Sequence, residues 1–129
     1  MQTLSLKGTV TVCFTINQKV ETERKKNMSV IKVGKNNFND IKNSEKPVLL
    51  DFYADWCGPC QMVAPLVHEI AEEYSQYVVG KINVDEEMEL AQAFSVVSIP
   101  MLVVLKDGKI SAQAVGFRSK EDILDMLDA

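Results

Sequence analysis

The feature that most constrains the fold of this chain is a pair of cysteines, Cys57 and Cys60, separated by two residues. Gly58 and Pro59 between them suit a tight turn, and two cysteines at this spacing can close a small disulfide ring. An apolar run of strand length at residues 48–54 precedes the motif, and apolar residues at helical spacing follow it. The pair is therefore expected where a buried strand ends and a helix begins. The unpaired N–H groups and the dipole of a helix N-terminus favour an anion there, in this case a thiolate.

The composition narrows the class of protein. At 129 residues the chain has room for one domain with a substantial core. Its hydrophobic fraction of 47% and charged fraction of 25% are those of an ordinary globular protein, and no apolar run is long enough to span a membrane. Three cysteines, two of them in one motif, do not form a disulfide framework and suit a reducing compartment.

The charge is unevenly distributed along the chain. Residues 1–27 contain five lysines and arginines against two glutamates, a net charge of +3. Because the whole chain carries −4, the remaining residues carry −7. This negative charge on residues 28–129 argues against a nucleic-acid partner for that part of the chain.

Apolar periodicity predicts alternating strands and helices after residue 28. Strands are predicted over residues 30–33, 48–54, 78–84, 99–105 and 110–115, and helices over residues 36–42, 58–75, 86–94 and from Ser119 onward. Asp107 and Gly108 form a tight-turn sequence between the last two strands, which are therefore expected to be an antiparallel hairpin. The predicted fold class is α/β, with a mixed sheet covered by helices on both faces.

The cysteine pair is one part of a larger pattern, since a Cys-x-x-Cys spacing alone is also found in zinc sites. The other parts are the sequence WCGPC at residues 56–60, DFYA at residues 51–54, Pro65, Ile99-Pro100 and Gly116. With these residues the chain from Met28 onward resembles a bacterial-type member of the thioredoxin family. The resemblance implies the thioredoxin fold, with a domain over residues 28–129 and an N-terminal extension over residues 1–27.

The extension has a pattern of its own. Four apolar residues alternate with polar ones, which predicts a strand, and residues 21–27 form a charged, linker-like run. The four residues are Val10, Val12, Phe14 and Ile16. We expect an appendage without function; the alternative is a strand that adds to a sheet edge or pairs between molecules. Cys13 is expected to be a small apolar filler of this strand, with a regulatory disulfide as the alternative.

Cys57 is the expected nucleophile, because a helix N-terminus lowers the pKa of a cysteine thiol. Cys60, one turn into the helix and less exposed, is then the resolving thiol. Cys57 would attack a substrate disulfide to form a mixed disulfide, and Cys60 would attack Cys57 and release the reduced substrate. A metal-binding pair is the alternative, but zinc needs two further ligands. The only histidine, His68, lies roughly 12 Å from Cys60 along the helix axis, so no metal site is expected.

Asp51 is a carboxylate within an apolar strand. From the pattern alone an outward-facing side chain is the better interpretation, since aspartate is seldom fully buried. The resemblance reverses that interpretation, because the family has a buried aspartate here that helps to deprotonate the resolving cysteine through water. Lys81 matches a family lysine that lies near this aspartate and moderates its charge; the alternative is a solvent-facing lysine.

The resemblance places a second part of the site at Ile99-Pro100. The family has a cis-proline here, facing the cysteines, and an X-Pro bond adopts the cis form at a low cost of roughly 0.5–1 kcal/mol. Without the family, Pro100 is an edge-strand or turn proline. Trp56, Ile99, Val84 and Gly116 would form a shallow apolar rim on which partners dock; for Ile99 and Val84, simple core packing is an equally good interpretation. The residues implied to contact the substrate are Trp56, Gly58, Pro59, Ile99, Pro100 and Gly116.

The function implied by the resemblance is that of a small cytoplasmic dithiol–disulfide oxidoreductase. Its implied partners are a thioredoxin reductase, which reduces it, and disulfide-containing proteins, which it reduces. No bound cofactor is expected, because the electrons reside in the cysteine pair, and a monomer without membrane or nucleic-acid partners is expected. An oxidase or isomerase of the same fold is the nearest alternative. A non-catalytic subunit that uses an apolar rim to bind a partner enzyme is an alternative of another class.

Overall fold

The computed structural model describes residues 30–129. The predicted strand of the extension and the expectations for Cys13 lie outside the described residues. Within them, five strands and four helices follow one another in the predicted order βαβαβαββα. The elements are β1 (Ile31–Lys32), α1 (Phe38–Lys42), β2 (Val48–Tyr53), α2 (Gly58–Glu73), β3 (Val78–Asn83), α3 (Met88–Ala93), β4 (Met101–Lys106), β5 (Lys109–Val115) and α4 (Lys120–Asp128).

Several element boundaries differ from the prediction by one or two residues, and the structure gives a local reason at the starts of α3 and β4. Helix α3 begins at Met88 rather than at residue 86, because the turn before it is built on Asn83. The Asn83 side-chain oxygen accepts hydrogen bonds from the N–H groups of Asp85 (2.9 Å) and Glu86 (3.3 Å). Strand β4 begins at Met101 rather than at residue 99, and the proline just before it has no N–H group to donate to a neighbouring strand.

The five strands form one mixed sheet in the order β1-β3-β2-β4-β5. Strands β1 and β2 both run parallel to β3, whereas β4 runs antiparallel to β2 and to β5. The predicted mixed sheet and the antiparallel hairpin are therefore confirmed. Strand β2 lies at the centre of the sheet, so the segment that leads to the cysteine pair is held on both sides.

Helices cover both faces of the sheet, as expected. Helices α1 and α3 pack on one face and helices α2 and α4 on the other. The side chains at the first interface include Ile41, Leu50, Phe52, Ile82, Leu90 and Val103, and those at the second include Leu49, Val63, Val67, Ile70, Leu102, Ile123 and Leu127. Each such side chain stabilises the fold by about 1.5–3 kcal/mol, so the two interfaces hold β2 and α2 firmly in place.

The alternation of side chains along β2 determines where its carboxylate lies. Successive residues of a strand point to opposite faces, and Leu49 belongs to the face covered by α2 and α4. Asp51, two residues further on, is therefore directed to the same face as Leu49, beneath helix α2. The strand places an acid under the helix that carries the cysteines.

Candidate active site

Cys57 and Cys60 lie at the start of α2 and form a disulfide, with their Cα atoms 5.3 Å apart. Cys57 is the N-cap residue of the helix, and its Sγ accepts a hydrogen bond from the Cys60 N–H at 3.2 Å. Its own N–H donates to the Ala54 carbonyl at 3.2 Å, which fixes the turn after β2. The cysteine predicted to be the nucleophile thus receives an N–H group of the helix N-terminus, where a thiolate is favoured.

Both cysteines are buried in the disulfide form. Cys57 is 4% exposed and Cys60 is 3% exposed, so the order is the expected one but the difference in exposure is too small to distinguish the two thiols. Tyr53, Val84 and Ile99 pack against the cysteines and account for the similar burial. The difference between the two thiols lies in their places in the helix, since only Cys57 is the N-cap.

Asp51 is 4% exposed, so the interpretation of the strand pattern alone, an outward-facing carboxylate, is wrong. Burial raises the pKa of Asp51 from 3.8 to about 7, and the positive charge of Lys81 partly offsets this rise. Among the described residues no group donates a hydrogen bond to its Oδ1. A buried carboxyl group that is half-ionised near neutral pH can both accept and return a proton.

Lys81 lies directly beside Asp51, as its partner residue in the parallel pairing of β3 with β2. The Lys81 side chain is partly buried, and its Nζ lies 5.8 Å from the centre of the Tyr53 ring. A cation over an aromatic face is stabilised there while its charge still acts on the neighbouring carboxyl group. The solvent-facing alternative for Lys81 therefore does not describe its position.

The peptide bond between Ile99 and Pro100 is cis. Pro100 is buried, and its carbonyl accepts a hydrogen bond of 2.8 Å from the Gly116 N–H. Gly116 has a φ of 93°, a conformation in which glycine is favoured. This bond joins the end of β5 to the cis-proline loop, and Ile99 connects that loop to the cysteine cluster. The cysteine pair, Ile99-Pro100 and Gly116 are far apart in the sequence but therefore lie in one region of the structure.

Trp56 is 71% exposed, and its indole N–H donates to Asp85 Oδ2 at 2.9 Å. Asp85 was not predicted at the site, because nothing in the turn after β3 indicates a partner 29 positions earlier. Val97, which was not predicted there either, is 91% exposed two residues before Ile99. Phe117 beside Gly116 is exposed as well. The site thus carries more exposed apolar surface than the sequence analysis assigned to it.

A cavity of about 190 Å³ lies beside Asp51 and is partly open to solvent. Its lining comes from β2 and the turn after it, from β3, from one face of α2 and from the segment before β1. The lining residues are Val30, Asp51, Tyr53, Ala54, Asp55, Cys60, Gln61, Ala64, Val67, His68 and Lys81. The cavity gives the otherwise buried carboxyl group and the second cysteine a common opening.

Residues 30–129 contain neither a cluster of metal-binding side chains nor a helix fit to cross a membrane. In this part of the chain no three histidine, cysteine or acidic side chains come close enough together to hold a metal ion. No helix in the same range combines the length and the hydropathy needed to cross a bilayer.

Comparisons with known proteins agree with this geometry. The thioredoxin family model matches residues 29–129. A thioredoxin from Acidithiobacillus ferridurans is 44% identical over 91 residues, which are 70% of this chain and 84% of that protein. A bifunctional thioredoxin reductase/thioredoxin from Mycobacterium leprae is 47% identical over 88 residues, 67% of this chain and 19% of that longer protein. The solved structure of a mutant thioredoxin from Halobacterium salinarum NRC-1 has a TM-score of 0.72 and 39% identity, and the match covers 77% of this chain and 88% of that one.

The matches and the cysteine pair together define the class of protein as the dithiol–disulfide oxidoreductases. Within that class, the chain belongs to the thioredoxin family.

Proposed function

We propose that Cys57 and Cys60 reduce disulfides of protein substrates, with Cys57 as the nucleophile. The observation that supports this assignment is the place of Cys57 as the N-cap of α2, where its Sγ accepts the Cys60 N–H. The Cys57 thiolate attacks one sulfur of the substrate disulfide, and the other substrate sulfur leaves as a thiolate. Cys60 then loses its proton and attacks Cys57, and the second substrate thiolate leaves. Two electrons pass to the substrate, and the cysteine pair becomes a disulfide.

Asp51 is the proposed acceptor of the Cys60 proton. A carboxyl group whose pKa is about 7 is ionised often enough at neutral pH to take that proton and protonated often enough to give it back. Asp51 and Cys60 line the same cavity, which is polar enough at Asp51 to admit water between them. Lys81 modulates this role, because its charge lowers the pKa of Asp51.

The substrate-binding surface is proposed around the two cysteines. Trp56, exposed and oriented by Asp85, forms one side, and the cis-proline loop with Ile99 and Pro100 forms the other. Gly58, Pro59 and Gly116 add backbone surface to it, and Val97 and Phe117 add exposed apolar area. The backbone of the loop beside Pro100 can offer hydrogen bonds to a substrate segment in an extended conformation.

A thioredoxin reductase is the proposed electron donor. The bifunctional relative from Mycobacterium leprae carries both names in one protein, which supports a reductase as the partner of this family member. No bound cofactor is needed in this proposal, because the two electrons are held by the cysteine pair. A dithiol that must be kept reduced suits the cytoplasm, and a monomer is sufficient for the reaction.

Brief alkylation of the reduced protein tests the assignment of the nucleophile. Near neutral pH we expect Cys57 to be labelled at least about tenfold faster than Cys60, because the helix N-terminus stabilises its thiolate. Mass spectrometry of peptides after a timed reaction measures the two rates, and labelling of the denatured protein provides the control for intrinsic reactivity. Faster labelling of Cys60 would reverse the assignment.

The domain limits are proposed at residues 1–27 for an appendage and 28–129 for the working domain. A protein that begins at Met28 is expected to keep both its melting temperature and its disulfide-reductase activity, because the five strands and four helices found in residues 30–129 already form one sheet covered on both faces. Thermal melting, light scattering and activity of the full and shortened chains test this. A large loss of stability on shortening, or a dimer formed by the full chain alone, would show that the extension belongs to the working protein.

A further inference from the structure

The cavity beside Asp51 is also lined by His68. One face of α2 lines it, with Cys60, Ala64, Val67 and His68 at positions one and two turns apart. Asp51 is buried, whereas His68 is exposed, so the cavity leads from a buried carboxyl group to a surface imidazole. His68 is the only histidine in the sequence, and its place in this lining was not foreseen from the sequence.

We propose that His68 relays protons between the solvent and Asp51 through this cavity. The inference rests on the proposed role of Asp51 as the acceptor of the Cys60 proton. His68 touches neither the substrate nor the reacting sulfurs in this scheme and acts through Asp51. A cavity of about 190 Å³ has room for several water molecules, which can carry the proton between the two side chains.

The proton balance of the relay is simple. The Cys60 thiol gives its proton to the Asp51 carboxylate, and the Cys60 thiolate then attacks Cys57. Protonated Asp51 passes the proton through water to a neutral His68 imidazole, which releases it to the solvent. The substrate thiolate that leaves takes up a proton from the solvent. When the disulfide is reduced again, the same steps run in reverse and return a proton to Cys60.

The groups around His68 favour the imidazole as the relay. Asp51 and Tyr53 from β2, Asp55 from the turn after it and Lys81 from β3 share the cavity with His68, and Glu69 and Glu72 flank it on α2. Exposed carboxylates stay ionised at neutral pH and are poor proton acceptors, and an ammonium group carries no lone pair to accept one. Lys81 is in addition held over the Tyr53 ring. Histidine is the side chain that gains and loses a proton most readily in this pH range.

The test is a stopped-flow measurement of the resolution step. Reduced protein is mixed with a peptide disulfide in which the chromogenic thiol is the one that stays linked to Cys57 and is released when Cys60 attacks. The rate of this release is measured from about pH 5 to about pH 9, in H₂O and in D₂O. Direct general acid–base catalysis contributes about 10²–10⁴-fold, and a relay that acts through another group contributes less. For His68→Gln we expect a resolution rate about three- to tenfold lower near neutral pH, with a larger solvent isotope effect. Added imidazole should restore the rate of this variant and leave the wild type unchanged.

Two further variants separate the relay from charge and from structure. His68→Lys places a fixed positive charge at this position but does not exchange protons readily near neutral pH, so it should be as slow as His68→Gln. Glu72→Gln, on the same helix and exposed, should match the wild type. A His68→Gln protein as fast as the wild type would overturn the relay. Equal slowing at every pH without imidazole rescue, or a normal rate in His68→Lys, would also overturn it.

The Asp51→Asn protein in the same assay distinguishes this inference from the proposal on which it rests. If Asp51→Asn resolves slowly while His68→Gln resolves normally, the relay is wrong and the role of Asp51 stands. If Asp51→Asn resolves at the wild-type rate, the proposed role of Asp51 fails, and the relay fails with it. Disulfide reduction by the wild type is measured in the same experiment. It tests the proposed function itself and does not depend on the roles of Asp51 and His68.

Discussion

The Asp51→Asn protein will be more stable than the wild type above about pH 7. The difference in the free energy of unfolding between the two proteins will be about 4 kcal/mol larger there than below about pH 4. Burial raises the pKa of Asp51 to about 7 in the folded protein, whereas the same group ionises near 3.8 in the unfolded chain. Below the lower value both states hold the proton. Between the two values the unfolded wild type releases a proton that the folded protein retains, so stability is lost as the pH rises. Asparagine has no proton to lose, so the stability of the Asp51→Asn protein does not show this fall as the pH rises.

Urea unfolding of both proteins at several pH values measures this difference. Asp125→Asn is a suitable control, because Asp125 is an exposed acid on α4 and its replacement should shift stability little at any pH. Between about pH 4 and about pH 7 the free energy of unfolding of the wild type should decrease relative to that of Asp51→Asn. Above about pH 7 the difference between the two proteins should stay constant. A stability difference that is the same at both ends of the range would mean that Asp51 is not buried as an acid, and its proton-transfer role would be wrong.

The Cys57→Ser protein will lose disulfide-reductase activity down to the rate measured without protein. A serine hydroxyl is not ionised at neutral pH and cannot take the place of the thiolate that attacks the substrate. The Cys60→Ser protein will also fail to turn over, but for another reason, since it keeps the attacking thiolate and lacks the thiol that releases the substrate. Reduction of insulin disulfides with a thioredoxin reductase as the electron donor measures both losses.

Cys13→Ser provides the control for the loss of a cysteine as such, and it should keep the wild-type rate. The protein with both Cys57→Ser and Cys60→Ser addresses the non-catalytic alternative. A subunit that acts by binding alone would still activate its partner enzyme after this double change, whereas an oxidoreductase would not. Full activity of Cys57→Ser would contradict the proposed mechanism outright.

Periodicity predicted the order of the elements in residues 30–129 well, because the apolar spacing of each long element is strong. Helix α2 shows the period of a half-buried helix, with Val63, Val67 and Ile70 on the covered face. The errors fall where single side chains or bonds set the boundary, as with the turn built on Asn83 and the start of β4 after Pro100. Such local effects do not appear in an apolar pattern.

The site was predictable in part, and the limit again has a physical cause. Strand β2 is buried on both faces, so it has no alternation from which the direction of Asp51 could be predicted. The resemblance to the family supplied what the pattern could not. The bond from Trp56 to Asp85 and the cavity that joins Asp51 to His68 depend on how distant segments pack, and no local signal announces either.

The most direct test of the central claim is to isolate the covalent complex of the Cys60→Ser protein with a disulfide-containing substrate. Without the resolving thiol, the mixed disulfide should persist, and it should be visible as a higher band on a non-reducing gel that disappears on reduction. Mass spectrometry of the digested complex should find the substrate linked to Cys57. A substrate linked to Cys13 instead, or a stable complex formed by Cys57→Ser through Cys60, would contradict the assignment of Cys57 as the attacking thiol.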